Sequence, residues 1–212
     1  MRLVIDENLA AGRRAFAAFG DVVSLPGREI DAEDVSRARA LMVRSVTRVD
    51  RALLAGAQVE FVGTATSGFD HVDREWLAAR DITFAHAPGS NANAVADWVI
   101  AALAALHARR RRRFGGGSVG VIGAGSVGAR VARRLAVLGY TVCLCDPPRA
   151  ELEGETGFVD LDTALGCDIV TLHVPLTDDG PHATRGLLDA AALGRIPAGG
   201  VLLNAARGGV VD

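Results

Sequence analysis

The sequence predicts an α/β protein made of two doubly wound parallel sheets, and three observations carry that reading. Short apolar, β-branched runs alternate with helix-like stretches through residues 1–90, the order that puts helices on both faces of a parallel sheet. A second alternation begins at Ser118, where a strand-like run enters a glycine turn. One long helical pattern, closed by arginines and glycines, lies between the two. A chain of 212 residues suffices for two modest domains with real cores. The expected division is a first domain over 1–90, a connecting helix and hinge over 91–117, and a second domain over 118–212.

The first domain reads as follows. Leu3 to Ile5 is a strand, followed by a helical run from Ala10 to Phe19 that Gly20 closes. Val22 to Leu25 is the next strand and ends in the turn Pro26-Gly27. Ala40 to Val43, Val59 to Gly63 and Ile82 to Ala85 repeat the pattern, with helical stretches near Ala32, Ala52 and Trp76. Pro88-Gly89-Ser90 then opens a single helix over Asn91 to Arg113, its faces marked by Asp97, Ile100, Leu103 and Leu106. It ends in five arginines and three glycines, Arg109 to Gly117. A nucleic-acid patch is one reading of those arginines. Cations complementing a helix C-terminus, with glycines as a hinge, is the better one. The chain has a formal charge of −2 and no other basic cluster, so no nucleic-acid partner is expected.

Residues Ser118 to Asp146 read SVGVIGAGSVGARVARRLAVLGYTVCLCD. Val119 to Ile122 form a strand that enters the turn Gly123-Ala124-Gly125-Ser126-Val127-Gly128. Val127, Val131, Leu135 and Leu138 then recur at helical spacing, Gly139 ends the helix, and Val142 to Leu144 lead to Asp146. This is the dinucleotide-binding βαβ fingerprint, with an acid about 20 residues beyond the glycines. The glycines let the backbone turn sharply and approach a pyrophosphate, whose charge meets free N–H groups and the positive end of the helix dipole. A carboxylate at Asp146 can accept both ribose hydroxyls and repels a 2′-phosphate, which favours NAD over NADP. Arg149 argues the other way, but Pro147 and Pro148 stiffen the turn between them. The alternative is a glycine-rich strand–helix turn with no ligand.

Composition removes several function classes. Every one of the 23 basic residues is Arg, which leaves no lysine for a Schiff base or general base. MRLVIDENLA turns acidic too early for a signal peptide, and Val95 to Leu106, interrupted by Asp97, is too short to span a bilayer. Cys143, Cys145 and Cys167 fit a reducing, cytoplasmic compartment. They read as buried thiols, because no histidine or acid stands at metal-ligand spacing. No metal and no membrane partner is expected.

Further strands are expected at Asp168 to His173 and Val201 to Asn204. The chain then runs Ala205-Ala206-Arg207-Gly208-Gly209-Val210-Val211-Asp212. Doubly wound domains of this kind carry one or two more strands, so the chain reads as truncated at its C-terminus.

Several blocks carry a family likeness: MVRSVT (Met42 to Thr47), GTATSGFDHVD (Gly63 to Asp73), APGSNANAVADWV (Ala87 to Val99), the fingerprint, and LLNAARGGVVD (Leu202 to Asp212). Together they resemble the D-isomer-specific 2-hydroxyacid dehydrogenases. DEN at Asp6 to Asn8, LPGR at Leu25 to Arg28, LMVRSVT at Leu41 to Thr47, FVGTAT at Phe61 to Thr66 and CDPPRA at Cys145 to Ala150 most resemble the branch of that family that acts on a phosphorylated substrate in vitamin B6 synthesis.

The resemblance implies a flavodoxin-like substrate domain, a Rossmann NAD-binding domain and a dehydrogenase. The reaction implied is NAD-linked oxidation of 4-phospho-D-erythronate at its 2-hydroxyl, giving 2-oxo-3-hydroxy-4-phosphobutanoate. The family's catalytic arginine sits in an N-x-x-R-G loop, matched by Asn204 to Gly208, so Arg207 takes that role. Its fork can hold a carboxylate while polarising the oxygen on the reacting carbon. Ser45 and Thr66 match substrate-contacting positions, and Arg44 is a phosphate or carboxylate partner. Ser126, Val127, Asp146 and Val174 match cofactor-contacting positions, beside the fingerprint glycines Gly123, Gly125 and Gly128 and the loop residues Ala205, Ala206 and Arg207. The family's general acid/base is a histidine oriented by a glutamate, and both fall beyond Asp212. No histidine here takes their place: His71, His86, His107 and His182 lack motif context, and His173 ends a strand. Ser90 stands where close relatives carry Cys. A C-terminal dimerisation domain also falls beyond Asp212, and with it the full-length protein is expected to be a homodimer. Two other outcomes stand beside this one: a dehydrogenase of another 2-hydroxy acid, and a non-catalytic NAD-binding fragment.

Overall fold

The computed structural model describes residues 1–109, 115–154 and 156–212. Arg110 to Arg113, the bulk of the arginine run in which the helix is expected to end, lie outside the described residues. The described chain divides into two compact units, Met1–Ser90 and Asn91–Asp212.

In the first unit the elements run β1 (Arg2–Asp6), α1 (Gly12–Phe16, continued by a 3-10 turn over Ala17–Phe19), β2 (Asp21–Leu25), α2 (Ala32–Val35), β3 (Ala40–Val43), α3 (Arg51–Leu54), β4 (Phe61–Thr64), α4 (Arg74–Ala78) and β5 (Thr83–His86). All strand pairs are parallel, in the order β2-β1-β3-β4-β5. That is the flavodoxin-like order, and its winding reverses between β1 and β3. Val4, Leu41, Val43 and Val62 are fully buried at the centre of the sheet, which explains the unbroken apolar runs along these strands. Aspartates start three of the helices: Asp31, Asp50 and Asp73 each accept a first-turn backbone N–H. The fourth strand starts two residues later than the sequence suggested, because its ladder with β3 opens at Phe61 opposite Ala40.

The second unit runs α5 (Ala92–Arg109), β6 (Ser118–Ile122), α6 (Gly128–Val137), β7 (Thr141–Cys145), α7 (Pro147–Glu153), α8 (Leu161–Leu165), β8 (Ile169–Leu172), α9 (Ala190–Leu193) and β9 (Val201–Asn204). Its four strands are parallel in the order β7-β6-β8-β9, with the reversal between β6 and β8. Along α5, Ala96, Val99 and Leu103 recur on one face and are fully buried against Val119, Val121, Val131 and Leu135. That helix is therefore part of this unit's core. Helices α7, α8 and α9 were not foreseen. Each starts at an aspartate (Asp146, Asp160, Asp189) whose side chain accepts from a first-turn N–H. The double proline, expected to stiffen a turn, instead opens α7. A proline there gives up an N–H the helix would not use, and its φ is already helical.

Cys145 and Cys167 are buried and Cys143 half-buried. Burial pushes the thiols of Cys145 and Cys167 up to about 11, so neither is a reactive thiolate near neutrality. Among the described residues no helix is long and apolar enough to cross a membrane.

Candidate dinucleotide-binding site

Strands β6, β7 and β8 deliver three chain segments to the C-terminal end of the second sheet: Gly123, Asp146 and His173-Val174. The three glycines of the turn meet different demands. Gly123 has φ +91° and donates its N–H to Cys145 O at 2.8 Å, so it turns the chain in a conformation that side chains rarely adopt. A Cβ on Gly128 would stand 1.8 Å from Gly123 O, so its absence is what lets α6 pack onto the turn. A Cβ on Gly125 would meet nothing within 4 Å. The fold does not need that glycine. An approaching ligand does, because a bare backbone can come closer to a phosphate. Helix α6 has no side-chain cap at Val127, which leaves first-turn N–H groups to a ligand or to water. Ser126 is exposed on this turn and Val127 half-buried.

Asp146 is fixed from two sides. One carboxylate oxygen accepts from Ala124 N–H at 2.7 Å and the other from Arg149 N–H at 3.1 Å. Each oxygen keeps a further lone pair, so the carboxylate is oriented and can still accept from a hydroxyl. Arg149 is otherwise engaged. Its Nε and Nη2 hold Glu153 at 2.8 and 2.7 Å, and Nη1 donates to Ala124 O at 2.6 Å. The bond to Glu153 raises the guanidinium pKa and lowers that of its partner. A guanidinium committed in this way is a poor receptor for a 2′-phosphate.

A cleft of about 420 Å³ runs beside these groups, lined by Gly123, Gly125, Asp146, His173 and Val174 among others. His173 donates its main-chain N–H to Ile122 O at 2.7 Å, and its Nε2 lies 3.0 Å from Thr171 Oγ1. Its Nδ1 is buried without a hydrogen-bond partner among the described residues. Burial pushes this imidazole down to about 4, so it is neutral near pH 7 and a weak proton acceptor.

Arg207, Ala205 and Ala206 do not line that cleft; they lie on the loop leaving β9. Asn204 shapes this loop: its Oδ1 accepts from Ala206 N–H at 2.9 Å, and its Nδ2 donates to Arg207 O at 2.8 Å. Arg207 is half-buried, with Nη1 3.3 Å from Ala206 O. The bracketing by Asn204 is an ordinary Asx arrangement that the motif contained without revealing its purpose.

In the first unit, Arg44 and Ser45 leave β3 at the switch point, the place where open α/β sheets bind ligands. Ser45 is exposed, and the Arg44 guanidinium makes no hydrogen bond or ion pair with the described residues. Behind them, Thr47 Oγ1 donates to Gly27 O at 2.6 Å and ties the loop after β3 to the loop after β2. Thr66 ends a chain of hydrogen bonds that the sequence did not suggest. Its hydroxyl donates to Gly68 O (2.8 Å), Thr64 Oγ1 lies 2.7 Å away, and His71 Nε2 lies 3.0 Å from Thr64. Proton counting fixes the direction. Thr66 has spent its proton, so Thr64 must donate to it and His71 Nε2–H must donate to Thr64. Thr66 can therefore offer its side chain to a ligand only as an acceptor, a role suited to a hydroxyl and not to an anionic oxygen.

Known proteins place the chain. The family described as D-isomer specific 2-hydroxyacid dehydrogenase, NAD binding domain, matches residues 77–212. Erythronate-4-phosphate dehydrogenase of Salinibacter ruber is 51% identical over all of this chain and 55% of its own length. The protein of that name from Aeromonas hydrophila is 50% identical over 57% of its length. The chain thus spans about half the length of the curated relatives it matches. Among solved structures, NAD-bound 3-phosphoglycerate dehydrogenase of Entamoeba histolytica superposes with a TM-score of 0.83 at 25% identity, covering all of this chain and 74% of that one. An NAD-dependent formate dehydrogenase of Staphylococcus aureus shares the fold with a TM-score of 0.81 at 21% identity, over 75% of its chain. Two parallel sheets, a glycine turn that fits its fingerprint position by position, and the match over residues 77–212 make this chain a member of the D-isomer-specific 2-hydroxyacid dehydrogenases.

Proposed function

We propose that the chain carries the NAD-binding and substrate-binding parts of a 4-phosphoerythronate dehydrogenase of vitamin B6 synthesis. The observation that supports it most is the joint geometry at the second switch point. Gly125 is open to a ligand while Gly128 is closed by packing, and Asp146 is oriented while Arg149 is withdrawn onto Glu153. These features fit a dinucleotide with an unphosphorylated ribose, held by Gly123, Gly125, Ser126, Val127, Gly128, Asp146 and Val174. Bound NAD supplies the hydride acceptor. Arg207 holds the substrate carboxylate and polarises the carbon-2 oxygen, with Ala205 and Ala206 carrying it into place. Ser45 and Thr66 contact the substrate, Thr66 accepting from one of its hydroxyls, and Arg44 meets the phosphate.

Arg207 stays protonated at physiological pH and cannot take the proton of the 2-hydroxyl. His173 is neutral, half-buried and hydrogen-bonded to Thr171, and serves as part of the cofactor rim. In the family the base is a histidine oriented by a glutamate, and that role is assigned to no histidine named here. The proposal places the full-length protein in the cytoplasm as a homodimer. NADH formation from a panel of 2-hydroxy acids by the full-length gene product tests the substrate. Preference for 4-phosphoerythronate supports the assignment, and preference for an unphosphorylated hydroxy acid moves the protein to another branch of the family.

A further inference from the structure

The dinucleotide cleft has two walls that belong to different elements. One is the start of α7, with Asp146, Pro147 and Pro148; the other is the loop after β8, with Pro175, Pro181 and His182. The loop is stapled to itself. Thr177 N–H donates to Thr184 Oγ1 at 2.9 Å, Thr184 N–H donates to Thr177 Oγ1 at 3.1 Å, and Thr184 Oγ1 donates to Pro175 O at 2.5 Å. Arg185 pairs with Asp178 across the same neck. Beyond the staple, Gly180 (φ +87°) and Pro181 turn the tip so that it presents His182. His182 Nε2 reaches Glu151 Oε1 on α7 at 2.8 Å and so bridges the two walls. Both partners are solvent-accessible, with side-chain exposures of 30% and 67%.

We propose that the His182–Glu151 bridge is a gate over the dinucleotide cleft, closed in the free protein and closed again behind the bound cofactor. The inference rests on reading this cleft as the NAD site. Its strength suits a gate and not a lock. An exposed pair is weak enough to be broken in a sizeable minority of molecules, on the order of one in five. The stapled neck keeps the rest of the loop in place while the tip swings. If ligand passes only when the bridge is open, entry and exit are slowed by the same open fraction, and affinity is unaffected. That signature separates a gate from a residue that contacts the cofactor or supports the fold.

The experiment is rapid-mixing fluorescence with NADH on this chain, comparing the parent with Glu151→Ala, His182→Ala and the double variant. Denaturant unfolding of each variant confirms that the fold is kept. The gate requires association and dissociation rate constants to rise together by about three- to fivefold in either single variant, with no further rise in the double. The dissociation constant should stay within about twofold of the parent. Unchanged rates overturn the gate, as does a loss of affinity through dissociation alone, which would make His182 or Glu151 a direct contact. A parent chain that binds no NADH overturns the reading of the cleft itself, a failure separate from either of those.

Discussion

The two sheets reverse their winding at equivalent places, yet they equip those places in opposite ways. In the second unit the switch point between β6 and β8 is built from backbone: a glycine turn, an uncapped helix start and one oriented carboxylate. In the first unit the switch point between β1 and β3 presents side chains on an ordinary loop, Arg44 and Ser45 at the end of β3, with Thr66 held by its neighbours after the adjacent β4. A site made of backbone dictates residue types, because only glycine satisfies its close approaches. A site made of side chains leaves no such trace.

The contrast is open to attack, first at Gly128. Gly128→Ala would put a methyl group 1.8 Å from the backbone oxygen of Gly123. It should cost about 3 kcal/mol in denaturant unfolding and abolish cofactor binding with it. Stability unchanged within experimental scatter would mean that the helix does not pack on the turn as described.

His173 supplies the next largest effect, through pH. Its folded value of about 4 lies below the ordinary 6.5, so the unfolded chain takes up the proton first. This group's contribution is fully present above pH 6.5 and is lost as pH falls toward 4, by about 3 kcal/mol in all. Unfolding titrations of the parent and of His173→Asn should diverge across that window alone. Parallel curves would place the imidazole in contact with solvent.

Gly125→Ala sharpens the comparison, since its methyl group would meet no protein atom within 4 Å. Stability should change by less than about 0.5 kcal/mol, while NAD affinity should fall about tenfold, equivalent to about 1.4 kcal/mol. If affinity were unaffected, the turn would be a structural device with no ligand. The smallest effect belongs to the first unit. Thr66→Val breaks the relay from His71 through Thr64 and should cost about 1 kcal/mol of stability while leaving NAD affinity untouched.

The same asymmetry decided how much was legible in the sequence. The central strands β1, β3, β4, β6 and β8 are near-continuous apolar runs, because both faces of a parallel sheet are covered there, whereas the edge strands β2 and β5 are partly exposed. The fingerprint and Asp146 were legible because Gly123 and Gly128 answer steric demands of the turn itself. Helices of four to seven residues, such as α7 and α9, carry too few turns for periodicity to register, and their aspartate caps also suit turns. Withdrawal of Arg149 onto Glu153 depends on a rotamer choice, and the Thr64–Thr66–His71 relay on a loop path; neither is written in residue spacing. Ser45, Thr66 and Arg207 are proposed through family resemblance alone, and the fold explains only how Thr66 and the Arg207 loop are held.

The account stands or falls on what the second switch point selects. Isothermal calorimetry with NAD and with NADP, on the parent chain and on Asp146→Ala, tests it most directly. An oriented Asp146 and an Arg149 committed to Glu153 predict NAD binding at least about tenfold tighter than NADP, with the preference largely erased in Asp146→Ala. Equal or tighter binding of NADP by the parent would show that Arg149 leaves Glu153 for the phosphate, and would contradict the assignment of this cleft to NAD.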